Sequence, residues 1–290
     1  MDRRDVERGY DSKKQRNVQE RKYSEIVALK RYNNWVKACL IRKYIPKHSR
    51  VLDFCGGKGG DYIKFDQNGV RNVLTCDISG ESLKDAEKRY KESEPSFRFN
   101  LKTIKEDCFS SELLNKIPSD SSFEGVSCQF AIHYSFETKE RAYQAVFNLT
   151  KYLRKGGLFI GTTINAYRVV KKLRTVPGNK FGNELFTIRF DEQFDKENIP
   201  TYGAKYYFEL KDAIDNLPEY LIPFCEFQKI CEEHGLKLIG FWDFHQFYRE
   251  WTKSQEYKEL LERMGKIDYM PNNQWEIISY YCAFVFQKVH

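Results

Sequence analysis

The chain has 290 residues, 41% hydrophobic and 31% charged, a length and apolar content that can fill the core of one large α/β domain and exclude a disordered chain. Forty-eight lysines and arginines against 41 aspartates and glutamates leave a net charge of +7, a surplus that favours polyanionic partners. No apolar run reaches the roughly 18 to 20 residues of a membrane span, and the eight cysteines include no CxxC pair, so a soluble, intracellular protein without a metal site is expected.

Residues 1–23 are charged and lack periodicity, which predicts a basic N-terminal arm ahead of one domain over 24–290. From Ser24 to Tyr44 the apolar residues Ile26, Leu29, Tyr32, Val36, Leu40 and Tyr44 recur at helical spacing, with Ser24 as the candidate cap. Short apolar runs then alternate with helical stretches: strands in "RVLDFC", "NVLTCDI", "LKTIKED", "FEGVSCQF" and "GLFIGTTI", helices in "GDYIKFDQ", "GESLKDAEKRYKE" and "ERAYQAVFNLTKYLR". Strand-helix alternation of this kind implies right-handed crossovers and a mostly parallel, doubly wound sheet. The pattern breaks at about residues 175–222, where "GNELFTIRF" and "AKYYFELK" read as paired strands of an insertion, with Glu219 expected in one of its loops. A helix "PFCEFQKICEEHG", a strand "LKLIGFWDF", a helix around "SQEYKELLERM" and a last strand "EIISYYCAFVFQKV" return the chain to the sheet.

In a doubly wound sheet, ligands bind at the carboxyl ends of the strands where the strand order reverses. The turn "CGGKGG" after the first strand belongs there, with Cys55, Gly57 and Gly60 at the positions of a GxGxxG pattern, so the dinucleotide fingerprint is imperfect. Asp53, Asp77 and Asp107 close the first three strands, and three converging carboxylates suit a ligand with an ammonium and a sulfonium, such as S-adenosylmethionine, better than a pyrophosphate. Each aspartate by itself reads equally as a strand-end cap. Lys58 does not fit a P-loop frame, yet a lysine inside a glycine turn points to an anionic group beside the cofactor.

The segments "YNNWVKACLIRKY", "VLDFCGGKGGD", "CDISGESLKDAEKRY", "SCQFAIHYSFET", "GNELFTIRF", "DNLPEYLIPF" and "SYYCAFVFQK" together resemble the messenger RNA cap (guanine-N7) methyltransferase family over about residues 30–288. One departure is visible: the family usually reads Asp-Leu-Gly-Cys-Gly-Lys, so Cys55 holds a glycine position and Gly56 a cysteine one, a swap expected to crowd the methionine end of the cofactor. The resemblance implies a class I, Rossmann-like methyltransferase with a mostly parallel seven-stranded sheet, a β-rich insertion contributing to the cap pocket, and S-adenosylmethionine as cofactor. It implies that Lys37, Asp53, Cys55, Asp77, Asp107, Gln129 and Tyr134 hold the cofactor, with Asp77 on the ribose and Asp107 on the adenine. It further implies that Lys58, Lys64 and Arg89 meet the cap phosphates, that Asn33 and Asn34 add amide donors, and that His133, Tyr134, Glu219 and Tyr281 hold the guanine. Taken singly, His133 and Tyr281 read more readily as core residues and Glu219 as a solvated charge. Implied partners are the capped RNA 5′ end, the capping guanylyltransferase and RNA polymerase, with a nuclear location, or a cytoplasmic one for a viral relative. Two other readings stay open on the residues alone: a methyltransferase for a different substrate, and a non-catalytic cap-binding scaffold with a decayed cofactor pocket.

Overall fold

The computed structural model describes residues 24–265 and 270–290. The arm expected over residues 1–23 lies outside the described residues. The first helix, α1 (Val27–Tyr44), buries Leu29, Tyr32, Trp35, Val36 and Leu40 on one face. Arg42 and Lys43 stand in its last turn, where cations suit the helix dipole, and Pro46 follows its end. Ser24 is not its side-chain cap: the N-cap is Ile26, and the Ser24 hydroxyl donates instead to Asp212, 3.0 Å away.

The expected alternation is present. Strands β1 (Arg50–Phe54), β2 (Asn72–Asp77), β3 (Asn100–Lys105), β4 (Phe123–Gln129) and β5 (Leu153–Ile164) are separated by α2 (Tyr62–Gln67), α3 (Gly80–Lys91), α4 (Glu112–Lys116), a 3₁₀ turn (Ile132–Glu137) and α5 (Lys139–Lys151). Ser79 caps α3 by accepting from the Ser82 amide, and Thr138 caps α5 by accepting from the Arg141 amide. After β5 come α6 (Ala166–Leu173), the four strands β6 (Lys180–Gly182), β7 (Phe186–Phe190), β8 (Lys205–Leu210) and β9 (Ile214–Tyr220), then α7 (Phe224–Glu233) and β10 (Leu236–Asp243). Helices α8 (Phe244–Trp251), α9 (Gln255–Arg263) and α10 (Asn272–Ile278) lead to β11 (Tyr281–Lys288).

The main sheet has seven strands in the order β10-β11-β5-β4-β1-β2-β3, all parallel except β11, which runs antiparallel to both neighbours. Strand order reverses between β1 and β4, so their carboxyl ends open the crevice where a ligand is expected. Strand β4 is buried along nearly its whole length, as a central strand covered on both faces must be.

The insertion forms a second, antiparallel sheet ordered β6-β7-β8-β9. Burial alternates along β7, so one face packs inward and the other looks outward. Pro218 is tolerated because β9 is an edge strand. The insertion docks on the 3₁₀ turn, where the Gly203 amide donates to the Phe136 carbonyl at 2.9 Å and Tyr202 stacks on Phe136.

Three local expectations are corrected. Glu219 lies on β9, not in a loop, and is only 5% exposed. The segment Glu276–Ile278 is helical, so the last strand starts at Tyr281 and not at Glu276. Helix α8 falls where the strand "LKLIGFWDF" is expected to end and no element is expected to follow directly: Asp243 caps it by accepting from the Gln246 amide, and its apolar face packs on α1.

Candidate functional site

A cavity of about 570 Å³ opens at the reversal of strand order. That volume lies within the range of small-molecule sites. Its wall includes Asp53, the turn from Cys55 to Lys58, Asp77, Asp107 and Gln129 from the sheet, and Asn34 and Lys37 from α1.

The glycine turn is shaped by close contacts. Gly56 stands over the Asp53 carboxylate and Thr75, leaving no room for a side chain, and Gly59 adopts φ +66 with the Tyr62 ring beside it. Cys55 adopts φ +59, the left-handed conformation that favours the glycine of the family pattern. Burial pushes its thiol pKa well up, and contacts with the thiols of Cys108 and Cys128 add to this. The thiol therefore meets two other cysteines, of which Cys108 lines the cavity with it and Cys128 lies buried in β4.

Asp77 accepts from the amides of Gly57 at 2.8 Å and Ser79 at 2.9 Å, so the loop after β2 and the glycine turn share one carboxylate. Asp107 accepts from the Phe109 amide at 2.9 Å and from Arg141 at 3.0 Å. Asp53 is fully buried. Burial, with the nearby Asp61 charge, raises its pKa to about 8 against the opposing pull of Lys37 and Thr75. Asp61 goes the other way: although burial pushes it up, the Lys37 and Lys64 ammoniums, each 2.8 Å away, hold it well below the usual carboxylate range.

The expected phosphate ligands separate into two kinds. Lys58 and Arg89 line the cavity, Lys58 paired with Asp85 at 2.9 Å and Arg89 donating to the Gly59 carbonyl at 3.1 Å. Lys64 is 8% exposed, does not line the cavity, and bonds to Asp61, Asn34 and the Gly60 carbonyl. On α1, Asn34 reaches the cavity but Asn33 does not, and the Asn33 Oδ1 has no hydrogen-bond partner among the described residues.

Of the four residues expected around guanine, only Tyr134 lines the cavity. The other three sit directly behind lining residues. His133 lies against the Tyr134 ring at 4.4 Å, Tyr281 against Phe130 at 5.2 Å, and Glu219 between Pro218 and Tyr220 on β9. His133 Nε2 approaches Glu219 Oε2 at 3.5 Å, and Glu219 also accepts from the Tyr206 hydroxyl. Gln129 is fixed by Ser127 and Thr162, each at 3.0 Å.

Sequence reasoning passed over Asp61, Glu137, Arg141 and Tyr220, all in the cavity wall. Asp61 ends one of the quoted motifs and Glu137 lies within another, so both carry a local signal; Arg141 carries none, since it lies in an ordinary amphipathic helix. Among the described residues, no group of His, Cys, Asp and Glu is placed to hold a metal ion, and no helix is long and apolar enough to cross a membrane.

A family model described as mRNA (guanine-N(7))-methyltransferase domain matches residues 2–289. The chain is 37% identical over 294 residues to mRNA cap guanine-N(7) methyltransferase 1 of Oryza sativa subsp. japonica, covering 96% of this chain and 79% of that protein. It is 37% identical over 291 residues to the mRNA cap guanine-N(7) methyltransferase of Schizosaccharomyces pombe, covering 96% and 80%. Among solved structures, the CcbJ methyltransferase from Streptomyces caelestis superposes with a TM-score of 0.57 at 13% identity, covering 98% of this chain and 96% of that one. An S-adenosylmethionine-dependent methyltransferase from Methanosarcina mazei gives 0.56 at 12% identity, covering 86% and 97%. At such identities these structures speak to the fold alone.

Proposed function

Because the chain belongs to the mRNA (guanine-N7)-methyltransferase family, we propose that it methylates N7 of the 5′ guanosine cap by in-line attack, without a general base. The observation that carries this reading is that Asp53 and Asp77 at the ends of β1 and β2, Asp107 in the loop after β3 rather than closing that strand, and the cations Lys58 and Arg89 line one cavity. Anchors for a cationic nucleoside and for a triphosphate bridge therefore share one space.

Bound there, S-adenosylmethionine supplies a methyl group on a positively charged sulfur. The chain's own residues fit that group: Asp77 is oriented by two backbone amides at the cavity wall, and Asp53 is a buried carboxyl whose charged form a neighbouring cation stabilises. Lys58 and Arg89 hold the phosphates, the arginine with a planar fork that matches phosphate oxygens. Guanine N7 has a lone pair and no proton to lose, so no residue is asked to remove one.

Catalysis then rests on alignment, which can contribute about 7 to 11 kcal/mol, and on charge. Positive charge moves from sulfur to the guanine ring, so a carboxylate beside the ring stabilises the transition state more than the ground state. Glu219 takes that role in this reading, held by Tyr206 and His133. In this reading the guanine stands against Tyr134 and Phe130, the two lining aromatics in front of His133 and Tyr281.

The deciding experiment incubates the protein with capped RNA and a labelled methyl donor, digests the RNA and identifies the labelled nucleoside. 7-Methylguanosine is expected. Label on any other nucleoside, or none, overturns the reading.

A further inference from the structure

Arg141 stands in the first turn of α5, the end of a helix least hospitable to a cation, so its position requires compensating negative charge. Two carboxylates from different parts of the chain supply it. Asp107, after β3, accepts from one guanidinium nitrogen at 3.0 Å, and Glu137, at the end of the 3₁₀ turn, forms an ion pair with Nε at 3.4 Å that is not a hydrogen bond. Glu137 in turn accepts from the Tyr220 hydroxyl at 3.1 Å. All four side chains line the cavity, and Tyr220 follows Glu219 on β9.

The geometry points to Arg141 as a positioning residue that orients two halves of the site at once. Through Asp107 it sets the adenine end of the cofactor site, and through Glu137 and Tyr220 it anchors the insertion strand that carries Glu219. This rests on the cap-methyltransferase reading above for the roles of Asp107 and Glu219. The planar guanidinium matters, because it donates to Asp107 on one side while its charge faces Glu137 on the other, whereas a lysine offers a single point charge.

The test compares Arg141→Lys, Tyr220→Phe and the double variant with the unaltered protein. Affinity for S-adenosylhomocysteine is measured by calorimetry, and KM and kcat for capped RNA are measured separately. Arg141→Lys is expected to weaken cofactor affinity and raise the RNA KM, each about tenfold, the size of losing a hydrogen bond to a charged group, despite keeping the charge. Tyr220→Phe is expected to raise the RNA KM alone, with cofactor affinity unchanged. The double variant should raise the RNA KM no further than Arg141→Lys does, because both act through one link. Full rescue by lysine, or multiplied effects on KM in the double variant, overturns the proposal. If Arg141→Lys melts early, Glu137→Gln breaks the same link and should raise the RNA KM with cofactor affinity intact; an unchanged KM overturns it equally. The cofactor measurement needs no RNA, so a protein that binds S-adenosylhomocysteine but leaves caps unmethylated sinks the functional reading separately.

Discussion

Asp53 lies so close beneath Gly56 that a Cβ at residue 56 would fall 2.1 Å from the Asp53 Oδ2, and 2.6 Å from the Thr75 methyl. Since Asp53 is buried and Thr75 is in β2, a side chain at residue 56 would have to displace both of them. Gly56→Ala is therefore expected to destabilise the fold by about 1 to 3 kcal/mol and to weaken cofactor binding more than tenfold. Denaturant unfolding and calorimetry check this; wild-type values for both would show that the turn has another way to relax.

Cys55 is the complementary case, a non-glycine residue held at φ +59. That conformation costs about 1 to 2 kcal/mol for an L-residue, offset here by burial of the thiol against Cys108 and Cys128. Cys55→Ala keeps the strain and loses the thiol, whereas Cys55→Gly loses both. The glycine variant should be the more stable of the two by about 1 kcal/mol, read from paired melting curves.

The raised Asp53 pKa, about 8 against an ordinary 3.8, fixes the sign of a pH effect. The native state without cofactor binds this proton more tightly than the unfolded chain does. The group's stabilising contribution is thus present below pH 4 and lost as the pH rises from about 4 to about 8. Asp53→Asn should flatten that part of the stability profile. At pH 7 the carboxyl is mostly protonated, so binding a cationic cofactor should expel a proton. Calorimetry in two buffers of different ionisation enthalpy would detect the release in the wild type and its loss in Asp53→Asn.

Lys58 and Lys64 are expected to behave differently despite their shared candidate role. Lys64 is buried against Asp61, so Lys64→Ala leaves a buried carboxylate with one ammonium fewer and should cost about 3 to 5 kcal/mol of stability. Lys58 is partly exposed in the cavity wall. Lys58→Ala should leave the melting temperature nearly unchanged and raise the KM for capped RNA about tenfold, with a shallower dependence on salt. Equal losses of stability in the two variants would contradict the distinction.

Glu219→Gln keeps the shape and removes the charge. If the carboxylate stabilises the developing charge on guanine, single-turnover methyl transfer at saturating cap should slow about 100-fold. An unchanged rate with weaker cap binding would assign Glu219 to ground-state recognition only.

Local patterning carried much of this protein. The alternation of apolar runs and amphipathic helices, the glycine turn after β1 and the carboxylates closing β1 and β2 and following β3 are all set within a dozen residues, because side-chain period and turn chemistry are short-range. The aromatic run Phe244–Trp251 shows where that ends: its residues suit a strand and a helix alike, and packing against α1 decides. Tertiary structure alone decided that Glu219 is buried beside His133, that Lys64 turns inward, and that Tyr220 and Glu137 bond across 83 residues of chain. Each depends on how separate elements pack, α2 on α1 for Lys64 and β9 on the 3₁₀ turn for Glu219 and Tyr220, and burial and charge pairing are properties of the assembled neighbourhood, which no window of sequence contains.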